Sequence, residues 1–403
     1  MSIFVSLLGL AFLILIHEAG HFFVARAVGM NPRKFYLGFP PAVAKTKRNG
    51  IEYGIGAIPL GGYVKIPGMH RPAAGDLDIH FGRAIEEEPA LGRPVGELRK
   101  RLDASDYDGA RHALERVREA VAGAAISPLA ERTAERGLTE IGDGLAPDAY
   151  WRARTWKRVA VIFAGPAANL VLAIAIFAAL FMTLNGSYRL GFELRGTSQD
   201  VTATVNDVLA NSPAEAAGVR AGDKILLING KAVNGDSIRP TIQASEGQPL
   251  VLTVERKGAE VRLRAVRPEK SEEFGPLASV GESFRVTWEV TQEIGHSVGR
   301  LVTGDGGDVS SPVGIVQGSS EAVEQGTDTY LWVLGLISLS LALLNLLPLL
   351  PLDGGHIAFS IVEGIRGRAV AREVYERVSM VGIALVLLLF FIGLSNDIGR
   401  LGE

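Results

Sequence analysis

The charge-free run Ile3–Ile16 leads without a break into His17-Glu18-Ala19-Gly20-His21, and the rest of the chain is read from this stretch. Two histidines four residues apart lie on one face of a helix, where both reach one Zn²⁺. The glutamate between them is placed to act as general base. The alternative is two surface histidines beside an unrelated glutamate. It weakens here because three ionisable side chains at membrane depth are costly unless they have a function. A water-requiring metal site inside an apolar span points to hydrolysis of something that itself lies in the membrane.

The chain has 403 residues, enough for two or three domains, and a formal charge of −3 that gives no hint of a nucleic-acid partner. It has no cysteine, so zinc must use histidine and carboxylate ligands. Four apolar blocks stand out: Ile3 to Ile16 (extending through Phe22-Phe23-Val24), Val159 to Leu184, Tyr330 to Leu350 and Val378 to Leu394. Each approaches or exceeds the roughly 17–25 residues that cross a bilayer. The first lacks a basic leader and a small-residue cleavage site, so it reads as a retained membrane helix rather than a signal peptide. Basic residues cluster after the first block (Arg26, Arg33, Lys34, Lys45, Lys47, Arg48), before the second (Arg152, Arg154, Lys157, Arg158) and between the third and fourth (Arg366, Arg368, Arg372, Arg377). The positive-inside rule places all three groups in the cytoplasm, with both termini and the Gly186–Asp328 loop outside.

Between the first two spans, Ile51 to Ile58 and Gly62-Tyr63-Val64-Lys65-Ile66 are expected as short strands, with the turn at Pro59 and Gly61-Gly62. Such a hairpin is either a plain cytoplasmic element or a strand edge offered to a substrate. A helical substrate must be unwound before cleavage, and its freed N–H and C=O groups then need partners. From His70 to Tyr150 the chain is charged, with Leu98, Leu102, Leu114, Val117 and Val121 near helical spacing, which predicts a helical cytoplasmic insert. His70, His80 and His112 are expected to be solvated.

The outer loop predicts strands at Val201–Val205, Lys224–Asn229, Leu250–Arg256 and Val261–Val266, with a short helix at Ser212–Ala217. With the turn Gly218-Val219-Arg220-Ala221-Gly222-Asp223, this order resembles a PDZ domain of the bacterial protease type. Such domains take extracytoplasmic peptides by β-augmentation; a small β domain acting as a steric plug is the alternative. Phe284, Trp288, Thr291, Val298 and Val302 fall near one helical face, as in an interfacial or packed helix.

In the third span, Asn345-Leu346-Leu347-Pro348-Leu349-Leu350-Pro351-Leu352-Asp353-Gly354-Gly355-His356 holds two prolines and two glycines that would break a membrane helix. A catalytic zinc with two histidines lacks one protein ligand, and Asp353 is the best-placed carboxylate on the same side. A turn or N-cap aspartate is the other reading.

Together the H-E-A-G-H span, the Gly61-Gly62-Tyr63 loop, the PDZ-like segment and N-x-x-P-x-x-P-L-D-G-G resemble a bacterial site-2 protease, the intramembrane zinc metalloprotease of regulated intramembrane proteolysis. The wording around Asp353 and the Ala/Arg/Gly content suggest an actinobacterial member. The resemblance implies one Zn²⁺ per chain on His17, His21 and Asp353, with Glu18 as catalytic base. It implies that Asn345 helps hold substrate or transition state, and that Gly61, Gly62, Tyr63 and Val64 lie in a substrate-binding, membrane-reentrant β-loop. The expected fold is a polytopic α-helical membrane protein with about four transmembrane helices, a membrane-reentrant β-hairpin and an extracytoplasmic PDZ-like α+β domain. Expected divisions are 1–27 (first span), 28–69 (β-loop region), 70–150 (insert), 151–185 (second span), 186–270 (PDZ-like), 271–328 (linker with amphipathic helix), 329–365 (third span) and 366–403 (fourth span and C-terminus). Implied substrates are single-span membrane proteins such as anti-sigma factors in a bacterial plasma membrane. A membrane adaptor with a vestigial metal site and a metal transporter are the competing classes. An intact Glu18 argues against the first, and the scarcity of polar residues in spans two and four argues against the second.

Overall fold

The computed structural model describes residues 1–183, 188–195, 202–270, 275–303 and 311–401. In chain order the first elements are α1 (Ser2–Ala27), β1 (Lys34–Arg48), β2 (Ile51–Lys65), α2 (Gly75–Glu87), α3 (Gly92–Asp103), α4 (Tyr107–Ala122), α5 (Pro128–Leu145) and α6 (Thr155–Thr183). A mixed region follows with β3 (Tyr188–Arg189), β4 (Phe192–Leu194), β5 (Val205–Val208), α7 (Pro213–Ala217), β6 (Lys224–Ile228), β7 (Lys231–Ala232), α8 (Gly235–Gln243), β8 (Leu252–Arg256), β9 (Ala259–Arg262) and β10 (Glu269–Lys270). Five helices close the chain: α9 (Pro276–Thr303), α10 (Pro312–Gln325), α11 (Thr327–Asn345), α12 (Asp353–Arg366) and α13 (Arg372–Leu401). Among the described residues four helical stretches are long and apolar enough to cross a membrane: Ser2–Ala27, Thr155–Thr183, Thr327–Asn345 and Glu373–Asp397. Their outward residues are apolar, as lipid-facing surface requires; Phe4, Phe23, Val171, Leu388 and Phe391 are all exposed.

The chain divides into two compact units. One comprises Leu7–Val171 and Ser338–Ser395. In it, β1 and β2 form a hairpin closed by Asn49-Gly50, both at positive φ, the dipeptide that a two-residue turn of this hand favours. The first long strand, beginning at Lys34, and the turn at Asn49-Gly50 had no sequence expectation, whereas the expected turn at Pro59 and Gly61-Gly62 falls where β2 doubles back between Ile58 and Gly62. The hairpin folds on itself: Phe35 is paired with both Tyr53 and Val64, and Leu37 with both Ile55 and Gly62. Lys34–Leu37 is thus an inner strand, and Gly62–Lys65 lies beside it.

Helices α2 to α5 enclose their own core, with Leu77, Phe81, Leu98, Leu114 and Val117 essentially inaccessible. Side-chain caps set two of their starts: Asp106 accepts from the Gly109 N–H, and Ser127 from the Ala130 N–H ahead of Pro128. His70 and His112 are exposed, as expected, the His70 ring 4.9 Å from that of Tyr375; His80 differs, being largely enclosed 3.2 Å from Glu140.

The other unit comprises Met1–Ser6, Leu172–Ile337 and Asn396–Glu403. Its centre is a four-stranded antiparallel sheet in the order β7-β6-β8-β9, covered by residues of α7 and α8 around Ile225, Ile228, Ile238, Leu252 and Val254. The expected strand at Val201–Val205 begins at Val205 instead, and Val201 lies outside the described residues. The last expected strand is Ala259–Arg262, reached through the Lys257-Gly258 turn; Val266 keeps only a bridge to Leu250. Lys231–Ala232 and α8 had no sequence expectation. Helix α9 buries Ser279, Ser283 and Thr287 and exposes Phe284 and Trp288, so its aromatic side faces outward. The side chains of Val298 and Val302 lie outside the described residues.

Gly218 and Gly222 both take positive φ, 89° and 87°, in the turn before β6. Asp223 is buried there. It accepts from the Arg220 N–H at 2.9 Å and from the Arg256 guanidinium through both oxygens at 2.7 Å. Burial alone would raise the Asp223 carboxyl, but Arg256 and the Arg220 N–H hold it below its ordinary value. A depressed folded-state pKa stabilises above the unfolded-state value and loses that contribution as pH falls through the folded one. Amide-exchange protection of β6 and β8 in the full chain is therefore expected to fall on acidification below about pH 4. Arg256→Ala, which strands a buried carboxylate, should cost about 3 kcal/mol at neutral pH and weaken that acid dependence.

Candidate active site

Helix α1 carries His17 and His21 at i and i+4, with ring centroids 4.9 Å apart and Nε2 atoms 3.2 Å apart. Asp353 opens α12, directly after the break that follows α11. Its Oδ2 lies 3.1 Å from His17 Nε2 and 3.4 Å from His21 Nε2. Zinc–ligand distances near 2.05 Å in a tetrahedron put ligand atoms about 3.3 Å apart, so the three edges match one shared zinc. Asp353 Oδ2 is buried without a hydrogen-bonding donor in line with it, as a metal ligand would be left. The His21 ring is fixed from behind, its Nδ1 2.8 Å from the Val161 carbonyl of α6. An N–H there leaves the Nε2 lone pair for metal.

Close approach of the backbones makes this convergence possible. A Cβ on Gly20 would stand 2.3 Å from the Ala164 carbonyl oxygen, and one on Gly165 would stand 2.3 Å from His21 Nε2 and 2.8 Å from His17 Nε2. Helices α1 and α6 therefore meet through small residues, the usual packing surface where no water drives association. Around Asp353, a Cβ on Gly354 would reach the Leu346 and Leu347 carbonyls at 2.2 Å, and one on Gly355 the Leu350 nitrogen at 2.5 Å. The broken segment folds back over the first turn of α12, and only glycine admits it.

Glu18 faces the hairpin. Gly62 lies so close that a Cβ there would be 2.2 Å from Glu18 Cγ. Gly61, at φ 156°, packs against the Phe39 ring, Tyr63 is paired with Tyr36 and Val64 with Phe35. Of the four loop residues singled out in the sequence, Gly62 thus reaches Glu18. Asn345 ends α11 and donates to its own helix, Nδ2 to the Leu341 carbonyl at 3.0 Å. Gly218, Gly222 and Asp223 belong to the other unit, where they build a turn.

Sequence reasoning missed Gly165 and Asn169. Asn169, one helical turn beyond Gly165, is wholly buried with neither side-chain polar atom bonded; its backbone carbonyl accepts from Ser338 Oγ at 2.8 Å. The available signal was Gly165-Pro166 followed by an amide inside an apolar span.

A family model, peptidase family M50, matches residues 5–389. The chain belongs to peptidase family M50. A protein of Agrobacterium fabrum named as a zinc metalloprotease is 30% identical over 427 residues, covering 98% of this chain and 95% of its own. The regulator of sigma-E protease RseP of Salmonella typhimurium is 29% identical over 450 residues, covering 98% of each. A protein of Enterococcus faecalis named as protease eep is 28% identical over 424 residues, covering 96% of each. The enzyme is a zinc metalloendopeptidase of the site-2 protease type, and the His17, His21 and Asp353 group offers its Zn²⁺ three ligand atoms.

Two glycine substitutions should separate metal binding from turnover. Gly165→Ala pushes on both imidazole nitrogens and is expected to weaken zinc binding about 10–100-fold, measured by competition with a chelator. Gly62→Ala pushes on Glu18 alone and should leave bound zinc unchanged while lowering kcat on the order of a hundredfold.

Proposed function

We propose that this metalloendopeptidase acts within a bacterial plasma membrane and cuts the transmembrane segment of single-span proteins. Membrane anti-sigma factors are the proposed substrate class, cut after a first extracytoplasmic cleavage has trimmed their outer domain. The observation that carries the reading is the meeting of Asp353, at the start of α12, within 3.4 Å of His17 and His21 on a helix apolar enough to cross a membrane, with Glu18 against a β-strand. Kinship with a protein named regulator of sigma-E protease supports the choice of substrate class.

In this reading His17, His21 and Asp353 hold the zinc. Bound zinc supplies Lewis acidity, polarising a peptide carbonyl and making water acidic near neutral pH. Glu18 accepts the proton of the attacking water and passes it to the leaving amine. The flat surface of Gly62 keeps its carboxyl in place between those transfers. The strand Gly62–Lys65 pairs with Lys34–Leu37 and, among the described residues, with no other strand. Its second edge receives the unwound substrate, whose backbone groups have no water to turn to. Asn345 exchanges its bond to Leu341 for one to the substrate carbonyl oxygen, stabilising the charge that develops there.

The clusters of basic residues at the ends of the spans support a cytoplasmic position for the hairpin and an extracytoplasmic one for the sheet β7-β6-β8-β9. That sheet, with α7, α8 and the Gly218–Asp223 turn, is read as a PDZ-like filter that admits trimmed substrates and takes extracytoplasmic peptides by strand addition.

Glu18→Gln is expected to retain one zinc per chain yet lose cleavage of a single-span substrate by at least a thousandfold. Full cleavage by the purified variant would refute its role as base. Asp353→Asn should lose zinc on dialysis; metal content equal to the parent protein would exclude it as a ligand. Removing 202–266 should release cleavage of untrimmed substrates, and unchanged substrate choice would remove the filter.

A further inference from the structure

The helical insert leaves the hairpin and returns to it at nearly the same point. Gly68 packs against Ala149, the Tyr150 N–H donates to the Pro67 carbonyl at 2.8 Å, and the Trp151 N–H to the Gly68 carbonyl at 3.2 Å. Two carboxylates at the insert's exit, Asp143 and Asp148, meet two cations at the root of the hairpin. Arg33 donates from Nε to Asp143 at 3.0 Å and from Nη1 and Nη2 to the two oxygens of Asp148 at 3.1 Å each. The second oxygen of Asp143 lies 2.7 Å from Lys65 Nζ.

Arg33 and Lys65 are already neighbours through the backbone, the Arg33 N–H donating to the Lys65 carbonyl at 2.7 Å, while the Arg33 carbonyl accepts from Glu52 at 3.0 Å. Asp143 thus fastens both cations across the pairing of Gly62–Lys65 with Lys34–Leu37. Its carboxylate is only 13% exposed, and with Asp148 it balances the two cations, so the clamp is shielded and neutral. Gly62, in the same short strand as Lys65, is the residue that packs against Glu18.

We propose that the insert is a clamp on this strand and that Asp143 is a positioning residue for the peptidase reaction. Through Lys65 and Arg33 it sets the height of Gly62–Val64 against Glu18 and the bound substrate. The proposal rests on the reading of Gly62–Lys65 as the strand that serves the active site.

The test measures kcat, KM and zinc content of the full-length enzyme in detergent with a single-span model substrate cleaved by the parent protein. Asp143→Ala is expected to lower kcat about ten- to a hundredfold at unchanged zinc content, with Asp143→Glu, which still reaches both cations, recovering most of the loss. Lys65→Met cuts the same link without touching the insert and should lower kcat to the same degree. The double variant should be no worse than either single one. Leu114→Ala loosens the insert's core away from the clamp and should leave kcat within about threefold of the parent. An unchanged kcat in Asp143→Ala overturns the proposal, and so does a fall matched by Leu114→Ala, since Asp143 would then act only through the insert's stability. Gly62→Ala separates the two levels. If it too leaves kcat unchanged, the strand reading itself fails; if it lowers kcat while Asp143→Ala does not, only the clamp fails.

Discussion

The metal group depends on an approach of helix backbones that side chains larger than hydrogen would prevent. His17 and His21 come from α1, their backing from α6 and Asp353 from α12, and the ligand atoms stand 3.1–3.4 Å apart. Ordinary helix axes lie 8–10 Å apart, which leaves little room for imidazole rings between them. Gly20 and Gly165 remove the obstruction on the α1–α6 side, while Gly354 and Gly355 let the broken segment fold over the start of α12. Gly382 of α13 closes the arrangement, since a Cβ there would strike the Leu350 carbonyl. Packing of this kind has discrete solutions, so the ligand geometry follows from helix contacts rather than from flexible side chains.

Electrostatics impose a second condition on the same atoms. Two carboxylates in an apolar surround cannot both remain charged without compensation. One divalent zinc held by this group would balance Asp353 and Glu18 with both imidazoles neutral. The Val161 carbonyl completes this state by keeping a proton on His21 Nδ1 rather than on the ligating nitrogen. Asn169 stands apart: its amide is buried beside the site's helices with no partner, and an internal water is the ordinary way such a group is satisfied.

The spans and the meeting of His17 with His21 on one helix face were legible in the sequence because both follow local rules. Apolar length fixes the four membrane-length helices, and i, i+4 spacing fixes the histidine face. Asp353 was legible for a different reason, since zinc chemistry asks for a third ligand and few spans end in a carboxylate. The hairpin was read in part. The chain does reverse between Ile58 and Gly62, but the strand from Lys34 and the turn at Asn49-Gly50 were not foreseen, nor that Gly61 and Gly62 also serve contacts with Phe39 and Glu18. Glycine that permits close approach and glycine that permits a turn look alike in a sequence. Gly165 escaped notice on the same ground, since its meaning lies in the nitrogens of another helix. Asp143 and Arg33 escaped because a long-range ion pair leaves no periodic trace.

Metal geometry and strand geometry are set by different physics. Helix packing among apolar residues holds the ligands, whereas backbone pairing and a shielded set of ion pairs hold the strand. The two meet where Gly62 packs against Glu18, and again where the Phe22 ring of α1 meets the Phe35 ring edge to face. The insert between hairpin and second span is easily accommodated, because its ends touch at Gly68 and Ala149 and its length adds only a slowly growing closure entropy.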